Sequence, residues 1–219
     1  GIVFPNSLTT IDERAFQGCE KIVSLVFPSG TTSLGAYSFF NCTSLNTIKL
    51  GENLETIGSC AFKNCSTLER VIVPNTTTRL GSGSFEDCLS LKEVVLGNSL
   101  TFIGASAFKG CSSLQSLRIP ASVTEIGNSA FNGCTGLNTL IMDDSDTTLA
   151  LGCKLNQSSG GYGLFYDCPM DSVYVGRNLS YDSSASCGYS PFAQSSKIKV
   201  VAFGAKSTSM ANYEFYLSS

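Results

Sequence analysis

One short phrase, a small residue followed by Phe-x-x-Cys, returns through this sequence at a fixed interval. It stands at Phe16/Cys19, Phe39/Cys42, Phe62/Cys65, Phe85/Cys88, Phe108/Cys111 and Phe131/Cys134, and every step is 23 residues. Two looser copies follow, Phe165/Cys168 and Phe192/Ser195. A constant period of this size is the signature of a solenoid, in which each repeat forms one turn and buries its apolar face only against its neighbours. The period predicts one elongated domain over 1–219. Regular turns run to about 149, irregular turns occupy 150–204, and 205–219 form a cap or a truncated turn.

Aligned on the cysteine, the turns superpose in columns. Three residues on stand Ile22, Leu45, Leu68, Leu91, Leu114 and Leu137, and after them Leu25, Ile48, Val71, Val94, Leu117 and Leu140. A third column holds Phe27, Leu50, Val73, Leu96, Ile119 and Met142. The β-branched, alternating end of this stretch predicts a short strand, paired in parallel with its copies in adjacent turns. Pro28, Pro74 and Pro120 end it in alternate turns and Gly51 and Gly97 in the others, a hint of a 46-residue unit. The return half carries apolar pairs such as Leu54/Ile57 and Leu100/Ile103, with Thr31/Leu34 and Thr77/Leu80 in alternate turns. Then comes a glycine corner, Gly35, Gly58, Gly81, Gly104 and Gly127, which implies positive φ or close backbone approach. The small residue before each Phe suits a short helical turn.

Ten cysteines and no histidine would ordinarily suggest an exported, disulfide-linked chain. The ladder spacing argues otherwise. Equivalent side chains on stacked turns run parallel about 4.8 Å apart, whereas a disulfide needs Cβ atoms ~3.5–4.5 Å apart and facing. The ladder thiols therefore read as small buried residues with weak S–H donors. Cys60, Cys153 and Cys187 lie outside the ladder. Cys153 and Cys187 fall in insertions on the same half of neighbouring turns and form the one disulfide candidate.

Several functions are disfavoured by composition. Net charge is −3 with no basic block, against what phosphate binding needs. No apolar run approaches the ~20 residues of a membrane span. Without histidine there is no imidazole acid or base, and the carboxylates Glu52, Glu55 and Glu69 show no pairing, so neither catalysis nor a cofactor is expected. The ladder lacks the C-x-x-C of metal sites. Asp143-Asp144-Ser145-Asp146 collects acids but lacks the Gly and distal Glu of a calcium loop, and reads as a solvated turn. No leader is visible, which suits a cytosolic or already trimmed chain. Ile2 to Leu8 match mid-repeat residues Ile119 to Val123, so an excised fragment is expected. Sequons stand at Asn41, Asn64, Asn75, Asn156 and Asn178, of which Asn41 and Asn64 adjoin ladder cysteines.

The phrase C-x-x-L-x-x-I-x-I-P-x-S-V-T-x-I-G-x-x-A-F-x-x-C, nearly complete from Cys111 to Cys134, resembles the BspA-like (Treponema pallidum-type) leucine-rich repeat. The resemblance covers about 2–204. It implies an α/β leucine-rich-repeat right-handed superhelix, a solenoid with a parallel sheet of about eight short strands and helical turns in the return segments. It also implies a bacterial surface or secreted protein, since several family members are adhesins for extracellular-matrix or other host proteins.

On that scaffold the outward strand positions are the recognition candidates: Val26, Lys49, Ile72, Val95, Arg118, Ile141 and Tyr174. Exposed Val26, Ile72, Val95 and Ile141 in one row would form an apolar stripe, a mark of contact sites, although β-branched residues also simply suit strands. The neighbouring column reads Ser24, Thr47, Arg70, Glu93, Ser116 and Thr139. Tyrosine is concentrated late, at 162, 166, 174, 181, 189, 213 and 216. That placement suits either glycan stacking or amphipathic filling of irregular turns. The sequence thus predicts a non-enzymatic cell-surface or secreted protein that binds other proteins, with a glycan-binding module or a passive spacer as alternatives.

Overall fold

The computed structural model describes residues 2–152, 163–180, 191–192 and 197–209, a stack of turns built from short parallel strands. The predicted strand stretch supplies β2 (Ser24–Val26), β4 (Thr47–Lys49), β6 (Arg70–Ile72), β8 (Glu93–Val95), β10 (Ser116–Ile119), β12 (Thr139–Met142), β14 (Ser172–Val175) and β16 (Val200–Phe203). The return half supplies a second series: β1 (Thr10–Ile11), β3 (Ser33–Leu34), β5 (Thr56–Ile57), β7 (Arg79–Leu80), β9 (Phe102–Ile103), β11 (Glu125–Ile126), β13 (Leu149–Leu151) and β15 (Leu179–Ser180). This second series pairs into one eight-stranded sheet. Sequence reasoning saw its apolar pairs but not the sheet, because a two-residue strand shows no alternation to count.

The apolar columns meet between the two series. Leu25, Val71, Val94, Leu117, Leu140 and Val173 are buried from one side, and Ile11, Leu34, Ile57, Leu80, Ile103 and Ile126 from the other. The ladder runs between them. From Phe16 through Phe39, Phe62, Phe85, Phe108, Phe131 and Phe165 to Phe192, successive rings stack with centroids 5.2–5.5 Å apart and planes within 9° of parallel. Centroid spacing wider than a ring thickness is the offset stacking that the ring quadrupole prefers.

Each buried ladder thiol has a partner. Cys42 Sγ donates to the Phe16 carbonyl of the preceding turn at 3.3 Å, and Cys65, Cys88, Cys111, Cys134 and Cys168 repeat the contact at 3.1–3.3 Å. Phe and Cys therefore act together, since the ring stacks turn on turn while the thiol caps the carbonyl beside it. The eight described cysteines, including Cys60, are free thiols. Phe16 and Cys19, in the first described turn, are only half-buried.

The expected helical turns are absent among the described residues. From residue 12 onward, alternate amides bond within the turn and along the stack. Ala15, Gln17 and Cys19 N–H donate three residues back, whereas Arg14, Phe16 and Gly18 N–H donate to Ala36, Ser38 and Phe40 of the next turn. Left-handed residues enforce this at two columns. One holds Arg14, Tyr37, Cys60, Gly83, Ser106 and Ser129, and the other Gly18, Asn41, Asn64, Asp87, Gly110 and Gly133. The second column is made of Gly, Asn and Asp, the residues that tolerate this conformation. The glycine corner has the other cause anticipated. A Cβ on Gly58 would stand 2.6 Å from the Gly35 carbonyl carbon, and the corner glycines are not among the positive-φ residues.

The Pro/Gly alternation also has a structural consequence. β2–β4 and β6–β8 pair in register over three residues, but β4–β6 pair only at Thr47↔Arg70, and β8 and β10 fall in separate sheets. Later turns show what is missing. Asp143, Gly176 and Gly204 donate their N–H to Ile119, Met142 and Val175 of the preceding strand. Pro74 and Pro120 occupy the same place and have no N–H to give. The ladder is slack at both junctions where a Pro-ended turn follows a Gly-ended one.

Candidate recognition face

Register places the predicted stripe in two runs, one over β2 to β8 and one over β10 to β16. Val26 pairs with Lys49, Ile72 with Val95, Arg118 with Ile141 and Ile141 with Tyr174, and Ala202 continues the row. Strand alternation turns these side chains away from the core. Val26, Ile72 and Val95 are 61%, 49% and 42% exposed. Lys49 and Arg118 are exposed as well, while Ile141 and Tyr174 are half-buried. The apolar part of the row is thus strongest at its first four turns. Val23, just before β2, is a further exposed apolar residue, at 52%. Sequence reasoning passed over Val23 because no other turn has an apolar residue in its column.

Charges around the row are mostly neutralised by neighbours. Arg70 pairs with Glu93 at 2.8 Å, Lys92 with Glu69 at 3.3 Å, Arg118 with Asp143 at 2.8 Å, and Lys199 with Asp171 at 3.2 Å. Exposed pairs of this kind contribute little stability, but they leave a face of low net charge around apolar side chains. Lys49 has no ion pair among the described residues.

The acidic turn is tied up rather than open to a cation. Asp143 holds Arg118, Asp144 accepts the Tyr174 hydroxyl at 3.0 and 3.2 Å, and Asp146 holds Lys206 at 2.8 Å. The Asp144 hydrogen bond raises the Tyr174 pKa, because it favours the protonated phenol. No group of three or more potential ligands that could hold a metal occurs among the described residues. Behind this turn lies Arg177, fully buried, which sequence reasoning missed. Its guanidinium donates to the carbonyls of Pro120, Ala121, Val123 and Asp143 at 2.7–3.1 Å. Burial lowers its pKa, opposed by the nearby Asp143 and Asp144. Only its place in an irregular turn, where no column marks a position as buried, hid it.

Burial also sets the ladder chemistry. The Cys42 thiol is pushed up to about 11 by desolvation and by neighbouring Cys19, and Cys65, Cys88 and Cys111 are raised further for the same reasons. Such thiols are poor nucleophiles. Cys153 and Cys187, and Tyr162, Tyr181, Tyr189, Tyr213 and Tyr216, lie outside the described residues. No described helix is long and apolar enough to cross a membrane.

The sequence matches the BspA type Leucine rich repeat region in six copies, over residues 1–115, 79–155 and 101–219. Among solved structures it is similar to the T. pallidum leucine rich repeat protein TpLRR, at 30% identity and TM-score 0.65, over 74% of this chain and 72% of that one. It is similar to a leucine-rich repeat protein from Eubacterium ventriosum, at 30% identity and TM-score 0.58, over 61% of this chain and 36% of that one. The pneumococcal vaccine antigen PcpA shares the fold at 20% identity and TM-score 0.57, over 91% of this chain and 57% of that one. No curated protein matches the sequence. With repeat copies spanning the chain and stacked as described above, the chain belongs to the BspA-type leucine-rich repeat family.

Proposed function

We propose that this chain is a non-enzymatic recognition protein of a bacterial surface or the extracellular space, and that it binds another protein through the Val26 to Tyr174 row. The observation that carries the reading is the row itself. Val26, Ile72 and Val95 are held outward on an open sheet face, in register, among charges that neutralise each other. Exposed apolar rows rimmed by polar groups mark protein contacts. Family membership supports the surface setting, and adhesion to a host protein is the finer form of the same reading. Glycan binding is a second reading. It draws on Tyr174, whose hydroxyl is fixed by Asp144 beside the Arg118–Asp143 pair and so offers ring and carboxylate together.

The test is a panel of purified extracellular-matrix and host-surface proteins, run beside a glycan array. The double variant Ile72→Asp/Val95→Asp should lose protein binding while keeping its circular-dichroism melt. Binding that instead follows Tyr174→Ala supports the glycan reading. A chain that binds nothing on either panel would be a spacer.

A further inference from the structure

We infer that the gap between β4 and β6 is a side-chain pocket within the recognition row, and that it takes a carboxylate carried next to a bulky apolar residue on an extended segment of the partner protein. This rests on the reading of the row as a protein-binding face. The gap lies where a Pro-ended turn follows a Gly-ended one. Pairing there stops at Thr47↔Arg70, and Pro74 brings no N–H to the preceding strand. The opening is a groove of about 630 Å³ with Ile48, Leu50, Ile72 and Pro74 in its walls, within the size range of pockets that bury a ligand group. Ile48 is half-buried, whereas Leu25, Val71, Val94, Leu117, Leu140 and Val173, its counterparts in other turns, are buried.

Charge selects the occupant. Arg70 and Glu69 also line the groove, but each is committed, Arg70 to Glu93 and Glu69 to Lys92. Lys49 is the uncommitted cation, and it sits in the row between Val26 and Ile72. Glu52, beyond Gly51, lines the loop end of the groove. A carboxylate is therefore drawn toward Lys49 and repelled by Glu52. Ile48 and Ile72 cover the apolar neighbour. A basic or wholly apolar segment would leave Lys49 unanswered.

The test selects phage-displayed random linear peptides against the folded wild-type chain, then measures the recovered peptides on three variants. The expected result is a shared Asp or Glu beside Ile, Leu or Phe. Lys49→Glu should weaken binding about tenfold, a change of ~1.4 kcal/mol, with an unchanged melt. Pro74→Ala, which restores the missing N–H, should also weaken it by narrowing the groove, and Lys199→Glu should not. Peptides without an acidic preference, bound equally by Lys49→Glu but lost on Ile72→Asp/Val95→Asp, overturn the pocket and leave the row standing. Peptides insensitive to both changes overturn pocket and row together. Recovery of no peptide overturns the pocket, and the panel of whole proteins then decides the row.

Discussion

Alkaline pH should unfold this chain far more readily than it would a protein with exposed thiols. Cys65, Cys88, Cys111 and Cys134 are buried, and each thiol is held well above the ordinary range. Desolvation leads for the first three, and for Cys134 the neighbouring Cys168 thiol adds to the burial. Because the folded-state pKa is raised, the unfolded chain gives up these protons first as pH rises. The stabilisation is complete below the unfolded-state thiol pKa of ~8.5 and is lost as pH climbs toward the folded values. One unit above that pKa, each thiol removes about 1.4 kcal/mol. Four together remove about 6 kcal/mol, a large share of a typical 5–15 kcal/mol. The assay is urea denaturation at a series of pH values from neutral to about 10, followed by far-ultraviolet circular dichroism because the chain has no tryptophan. A Cys88→Ala/Cys111→Ala double variant should show about half the loss. A midpoint that stays flat to about pH 9.5, or a double variant with the parent's full dependence, would refute the reasoning.

Three further outcomes are expected. Ser84 and Ser38 bury hydroxyls with no hydrogen-bond partner among the described residues, where Ala stands in other turns. Ser84→Ala should therefore stabilise by about 1 kcal/mol, read as a higher denaturation midpoint. Arg177→Met would leave the carbonyls of Ala121, Val123 and Asp143 without the guanidinium that donates to them, and Pro120 with the Val123 N–H alone. It should cost about 3 kcal/mol or more, measured by calorimetry. Iodoacetamide applied to the native, unreduced protein should label half-exposed Cys19 and Cys60 but spare Cys65, Cys88, Cys111, Cys134 and Cys168. We propose that Cys153 and Cys187 are disulfide-linked, and labelling of both in the same digest would reject the link.

The solenoid was legible because its constraints repeat. Phe108 and Cys111 occupy columns, and a column of buried residues declares itself without structure. The face was legible for the same reason, since alternation around Leu25 or Val71 fixes where Val26 and Ile72 point. What escaped was geometry that depends on a neighbour. The return strands are too short to alternate. The turns after Asp12 become ladders rather than helices because left-handed residues such as Tyr37 and Cys60 redirect every second amide, and neither residue type announces that conformation. The Pro/Gly alternation was visible, but the slackened ladder beside Pro74 shows only in the strand pairing, which stops at Thr47↔Arg70. Arg177 reads as a surface residue by type, and only four convergent carbonyls make its burial tolerable.

The most direct measurement is amide hydrogen exchange of this chain with and without a bound protein from the matrix panel. The account predicts new protection across β2, β4, β6 and β8, centred on Lys49 and Ile72, with the return strands unchanged. Protection confined to the return strands or to the cysteine side of the turns would contradict it.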